Sequence, residues 1–142
     1  MARLNLSKLG NTPFQQLLGH NKTILNAWTM LEDTLFTSST FTTELKEEIR
    51  RTLAFLNGCS YCMAKGMPSH YHTDTRTSIA VSFAKTVCKN NYNIEDSVFH
   101  SIKREFTSEE ISELCAFICF ISACQNFSVL LNLTPSCSIK KI

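Results

Sequence analysis

Cys59 and Cys62 stand three residues apart in the run Asn57-Gly58-Cys59-Ser60-Tyr61-Cys62. Two thiols at that spacing share one helical turn and can close a small disulfide. Asn57-Gly58 ends the helix before them, because these residue types best tolerate a left-handed cap. The cysteines therefore open a new helix, whose N-terminus favours thiolate and with it reactivity. A helix end supplies ~0.3–1 kcal/mol, whereas one pKa unit corresponds to about 1.4 kcal/mol. The helix end alone thus shifts a thiol only slightly, and a thiol poised near neutral pH needs a further cation or base. Lys65, three residues after Cys62, is spaced to be that cation.

The other residues capable of chemistry have plainer readings. Glu47 by itself is a first-turn glutamate able to pair with Arg51 four residues on. Lys46, Arg50 and Arg51 form a mixed charged face with the neighbouring glutamates, and no anion site is read there. The seven cysteines are an odd number and fit no complete disulfide scaffold. Cys88, Cys115, Cys119 and Cys124 sit in apolar helical patterns and read as packing residues. Cys115 and Cys119 are one turn apart, which suits a shared buried face. Cys137 lies in a polar tail and reads as an exposed thiol. Cys59, Cys62, His70 and His72 together offer four zinc ligands, although the single residue between the histidines departs from the usual three to five. His70 and His72 follow Pro68 in an expected loop and reach the cysteines only if the chain bends there. His20 and His100 have no evident partner.

The elements that must hold these residues are helical nearly throughout. A short helix follows Pro13, a residue suited to a first helical position. Residues 22–36 form a second, with Ile24, Leu25, Trp28 and Leu31 spaced as one buried stripe. A Ser/Thr-rich connector, with Thr42 or Thr43 as cap, leads into 44–57, where Leu45, Ile49, Leu53 and Leu56 share a face. The dithiol helix is expected over 59–67, limited by Pro68. Residues 74–88 and 95–106 form two more helices. Thr107 and Glu110 then offer a capping box for a long helix to about Leu133, and the tail 134–142 is expected to be loosely ordered.

Composition agrees with an all-α chain of six to seven helices forming one domain over 1–142. Hydrophobic residues make up 44% and charged residues 18% of 142, enough for a core and against disorder. Four Gly and three Pro exclude a turn-rich all-β fold. A net charge of +2 gives no basic surplus, so no nucleic-acid partner is expected. The longest apolar run, Leu114 to Ile121, is far shorter than the roughly 18 residues of a span, so no membrane partner is expected. The start of the chain has no apolar core of a signal peptide, and cytoplasmic residence, where thiols stay reduced, is the expectation. The helix around Leu114 to Ile121 is apolar nearly all round. It should be central or lie in a subunit interface, which points to a homo-oligomer.

Glu47 followed twelve residues later by Cys59, within Leu56-Asn57-Gly58-Cys59-Ser60-Tyr61-Cys62, resembles the alkylhydroperoxidase D-like branch of the carboxymuconolactone decarboxylase family. The downstream order is similar too: a helix over 76–88, a polar link, then Phe106-Thr107-Ser108-Glu109-Glu110-Ile111 leading into a long apolar helix with Asn126. The resemblance is strongest over 42–133. It implies an all-α fold, homo-oligomers (trimers or hexamers), no cofactor, and thiol-dependent reduction of small organic hydroperoxides or hydrogen peroxide. It also implies roles. Cys62 attacks the peroxide, Cys59 resolves the resulting sulfenic acid to a disulfide, Glu47 accepts or relays the proton, and an external dithiol reductant closes the cycle. The family's relay histidine, four residues after the second cysteine, is replaced here by Gly66. Lys65, His70 and His72 are the residues near enough in sequence to stand in. Beside this reading stand a zinc-binding module and a non-enzymatic oligomeric redox sensor. The lactone decarboxylase branch does not need the paired cysteines.

Overall fold

Seven helices and no strand make up residues 1–135, the part of the chain described by the structure, a computed structural model. Cys137 and most of the tail lie outside the described residues. The helices are α1 (Pro13–Leu18), α2 (Lys22–Thr37), α3 (Thr43–Leu56), α4 (Ser60–Met63), α5 (Thr75–Lys89), α6 (Asp96–Lys103) and α7 (Ser108–Leu130). The all-α expectation holds, and six of these starts carry a side-chain cap. Thr12, Asn21, Thr42, Asp74 and Thr107 each accept a hydrogen bond from a free backbone N–H of the first turn, and Cys59 does so through sulfur. At α7 the capping box is complete: the Glu110 N–H donates to Thr107 Oγ1 at 3.2 Å, and the Thr107 N–H donates to Glu110 Oε2 at 2.9 Å.

α3 is the element around which the others pack, against α5, α4 and α7. Its face of Leu45, Ile49 and Leu53 is buried, with Ile49 and Leu53 fully so. Each such side chain contributes ~1.5–3 kcal/mol of burial. Ala80 and Ala84 of α5 are also fully buried, and side chains this small permit close helix approach. Leu114, Phe117, Ile118 and Ile121 of α7 complete this core. A second apolar cluster joins Phe14, Leu17, Leu18, Leu25, Ala54 and Leu133 to Cys59, Tyr61 and Cys62.

α7 is central, as its all-round apolarity predicts. Its whole 23-residue length, with a mean hydropathy of 1.6 in its most apolar stretch, is long and apolar enough to cross a membrane. The uninterrupted run alone had hidden this property, because polar Ser122 and Gln125 follow it. Those two residues and Ser128 are buried, which is the place of polar groups that serve the protein interior.

Several expectations are corrected. α4 stops at Met63 rather than 67, because the Lys65 and Gly66 N–H groups turn back to the carbonyls of Cys62 and Met63 and Gly66 takes φ +139°. Ile24 and Leu31 are not part of a buried stripe. Each is 49% exposed, and α2 meets the rest of the chain through Leu25, Trp28 and Leu35. Leu56 is partly exposed at the end of α3. Cys119 is exposed and Cys115 half-buried, so they share no buried face. α6 ends at Lys103, and Phe106 packs into the core just ahead of α7. Lys46 is not on a solvated face. It is buried, and its ammonium donates to the carbonyls of Phe36 and Ser38 at the C-terminal end of α2.

Candidate active site

The segment that delivers the two cysteines is held from α7. Asn57 caps α3 in the right-handed region, and it is Gly58, at φ +65°, that makes the left-handed turn. The Cys59 N–H then returns to the Ala54 carbonyl at 3.0 Å. Asn57 Nδ2 donates to Gln125 Oε1 at 2.8 Å and to Ser122 Oγ at 3.2 Å, and the Cys88 thiol donates to Asn57 Oδ1 at 3.4 Å. Gln125 Nε2 donates in turn to the Arg50 carbonyl at 3.0 Å. Sequence reasoning missed Gln125. The available signal was its spacing with Ser122 and Ser128, three polar residues at helical intervals on an otherwise apolar element.

Cys59 and Cys62 are joined by a disulfide, with Cα atoms 5.2 Å apart. The two sulfurs are not equivalent. Cys59 is the N-cap residue, its sulfur accepting from the Cys62 N–H at 3.2 Å, and it is 1% exposed. Cys62 lines a cleft of about 140 Å³ whose wall also carries Tyr61, Lys65, Arg50, Glu32, Cys124 and the rings of Phe14, Phe36 and Phe120. With only four residues, α4 has few aligned peptide dipoles. Charge at the cleft therefore comes mainly from side chains.

Lys65 is an exposed residue whose ammonium end lies 4.9 Å from the centre of the Tyr61 ring. Crowding of that end pushes its pKa down, Arg50 pushes the same way, and Glu32 opposes them. Burial pushes the Glu32 carboxyl up, Lys65 pulls it down, and Asp33 pushes it up. Burial pushes the Cys124 thiol up to about 12 although Trp28 Nε1 donates to its sulfur at 3.3 Å. Cys124 is thus a protonated thiol across the physiological range.

Glu47 is half-buried on α3 and engaged by arginines. Arg50 Nη2 lies 2.8 Å from its carboxylate and Arg51 Nε 3.7 Å, so the closer partner is Arg50 rather than the expected Arg51. The Arg50 hydrogen bonds hold the Glu47 carboxyl below its usual range. Arg50 rather than Glu47 reaches the cleft wall.

Glu48, expected only as one of the glutamates near the start of α3, is 2% exposed and organises the loop after α4. It accepts from the Ser69 N–H at 2.9 Å, from Ser69 Oγ at 3.1 Å and from Arg51 Nη1 at 3.2 Å, and His72 Nδ1 lies 3.8 Å away. The chain does bend back after Pro68, but it carries His72 to Glu48, not to the cysteines, and His70 is exposed. Among the described residues no group of three His, Cys, Asp or Glu is placed to hold a metal ion, so the four proposed zinc ligands do not converge. Gly66 sits in a turn, where an added Cβ would meet Arg51 Nε at 3.1 Å. A histidine there would not stand one helical turn beyond Cys62.

This fold has a solved counterpart. The crystal structure of an uncharacterized peroxidase-related protein from Silicibacter sp. TM1040 superposes with a TM-score of 0.76. The match covers 87% of this chain and 76% of that one at 16% sequence identity, a likeness of fold alone. No family model matches the chain, and no curated protein does.

Proposed function

We propose that the protein is a thiol-dependent peroxidase of the alkylhydroperoxidase D-like type, reducing hydroperoxides through a Cys59–Cys62 dithiol–disulfide cycle. The observation that carries this reading is the asymmetry of the pair: Cys62, 8% exposed, lines a small aromatic cleft that Lys65 also lines, whereas Cys59, 1% exposed, does not reach it. A peroxide in the cleft meets Cys62, whose thiolate attacks the O–O bond and becomes a sulfenic acid. The Cys59 thiol condenses with it, forming the disulfide and releasing water. An external dithiol then attacks the disulfide and restores both thiols. Glu47, as a carboxylate, holds Arg50 at the cleft wall and is a base for a proton arriving through water. The peroxidase-related neighbour shares the fold and supports the same class of chemistry.

The chain works, in this reading, as a homo-oligomer in the reducing cytoplasm, with the half-exposed Ile24 and Leu31 and the more exposed Met30 of α2 as apolar surface for subunit contact. A redox sensor is the second reading, favoured by the turn at Gly66, which places no relay histidine one turn beyond Cys62. The deciding experiment is peroxide consumption with several dithiol donors, comparing the wild type with Cys62→Ser. Sustained turnover abolished by the substitution supports the peroxidase. One round of disulfide formation without turnover supports the sensor.

A further inference from the structure

Five helices, α1, α2, α3, α4 and α7, contribute to the wall of the Cys62 cleft, and α2 contributes a carboxylate that the cycle above leaves unused, Glu32. We infer that Glu32 is the general acid of this cleft, donating a proton to the alkoxide that leaves when Cys62 attacks a hydroperoxide. The inference rests on the peroxidase reading and supplies the step that Gly66 cannot.

The titratable and charged groups around this cleft come from several elements. They are Asp33 on α2 itself, Arg50 and, beyond it, Glu47 on α3, Cys62 on α4, Lys65 in the following turn, and Cys124 on α7. Two carboxylates are thus available, and their surroundings push them apart. Glu47 is bonded by Arg50 and kept ionised, which makes it a poor proton donor. Among the described residues Glu32 makes no hydrogen bond, and burial favours its protonated form. Opposed environments of this kind divide acid and base roles between two carboxyl groups, and of the two only Glu32 lines the cleft, Glu47 standing behind Arg50. Lys65 lines the same small space as Glu32 and Cys124 and interacts electrostatically with both.

The Cys62 thiolate attacks the distal oxygen of ROOH, the O–O bond breaks, sulfur is oxidised to S–OH, and RO⁻ departs. Glu32–COOH gives its proton to RO⁻, producing ROH and a carboxylate that Lys65 faces. The Cys59 thiol and the Cys62 sulfenic acid form the disulfide and water. The external dithiol supplies two electrons and two protons, one proton restoring the Cys59 thiol and the other Glu32, and it leaves as its own disulfide.

The test compares wild type, Glu32→Gln and Glu32→Asp as full-length, pre-reduced protein mixed rapidly with tert-butyl hydroperoxide. Trp28 is the sole tryptophan, bonded to Cys124 and packed on Phe14 and Phe120 of the cleft wall, and its fluorescence follows the reaction. A parallel measurement follows alkylation of Cys62 by iodoacetamide, which needs no proton donor. Glu32→Gln should oxidise about 10²-fold more slowly, should lose the fall in wild-type rate on the alkaline side of the Glu32 titration, and should alkylate at the wild-type rate. Glu32→Asp should recover part of the oxidation rate. Oxidation of Glu32→Gln at the wild-type rate with an unchanged pH profile overturns the inference and leaves the peroxidase reading standing. A parallel loss of alkylation also overturns it, because Glu32 would then only shape the cleft. A wild type that alkylates normally but reacts with no peroxide removes the peroxidase reading, and this inference with it.

Discussion

The side-chain amide of Asn57 donates to that of Gln125 at 2.8 Å, joining the turn ahead of the dithiol to the centre of α7 across 68 residues of sequence. Gln125 also donates to α3, from its Nε2 to the Arg50 carbonyl. One buried side chain therefore sets the distance between the cleft arginine and the cysteine-bearing turn. Gln125→Leu leaves the Asn57 amide and the Arg50 carbonyl each one partner short. Asn57 keeps Ser122 as an acceptor and the Arg50 carbonyl keeps its helical donor, so the loss is that of the hydrogen bonds themselves, about 0.5–1.5 kcal/mol each. The expected outcome is a lowered urea midpoint with slower Cys59–Cys62 disulfide formation, and an unchanged midpoint would refute the coupling.

Gly66→His should fail to rescue a proton relay. At φ +139° a side chain is strained whatever its chemistry, and its Cβ would crowd Arg51. Such strain costs of order 1–3 kcal/mol. Gly66→Ala should be destabilised as well, the reverse of what a helix-interior glycine would show. Denaturant titrations of both variants, with Cys62 oxidation rates alongside, check this. A stabilised alanine variant, or a faster histidine variant, would contradict the turn.

Glu48→Gln should loosen the loop after α4 without melting α3. The carboxylate holds the Ser69 N–H and hydroxyl and the Arg51 guanidinium. Charge-assisted bonds of this kind are about twice as strong as neutral ones. Hydrogen exchange at the Ser69 amide should rise by an order of magnitude or more, while the amides of Ile49 and Leu53 keep their protection.

Acid should destabilise the fold through three carboxylates. Arg50 lowers the Glu47 carboxyl, Thr77 that of Asp74, and the Thr107 N–H with Arg76 that of Glu110. For each, the folded pKa lies below the unfolded one, so the unfolded chain binds the proton first. Their stabilisation is therefore present above the ordinary carboxyl range and is lost as pH falls through the lowered values. Glu32 has the opposite sign: its cost is present above its raised pKa and is relieved below it. Urea midpoints from neutral pH down to about pH 3 should fall for the wild type, and less steeply for Asp74→Asn.

In the oxidised protein, iodoacetamide should label Cys119 first among the cysteines of the described residues. It is exposed, whereas Cys88 and Cys115 are half-buried with thiol pKa values raised by burial, and Cys124 is pushed up to about 12. The thiolate is the reacting species, so the raised pKa values slow the other three. Peptide mapping that finds Cys124 modified before Cys119 would reject this order.

The helices and their starts were legible in the sequence because they depend on neighbours. Thr42 and the Thr107–Glu110 pair cap within their own first turns, and the Leu45–Ile49–Leu53 face repeats with the helix itself. The paired cysteines after Asn57-Gly58 were legible for the same reason, since a disulfide between residues three apart needs only local geometry. Whatever depended on distant packing was not. The length of α4 hangs on a turn at Gly66 fitted against Arg51, and the burial of Lys46 on carbonyls at the end of α2. Which glutamate is desolvated and which is held by arginine depends on what α2, α3 and α7 place around each carboxylate. Periodicity records the pull of nearest neighbours along one helix. The cleft that joins Glu32, Cys62 and Lys65 forms only when separate helices settle against one another, because desolvation and charge pairing act through space rather than along the chain.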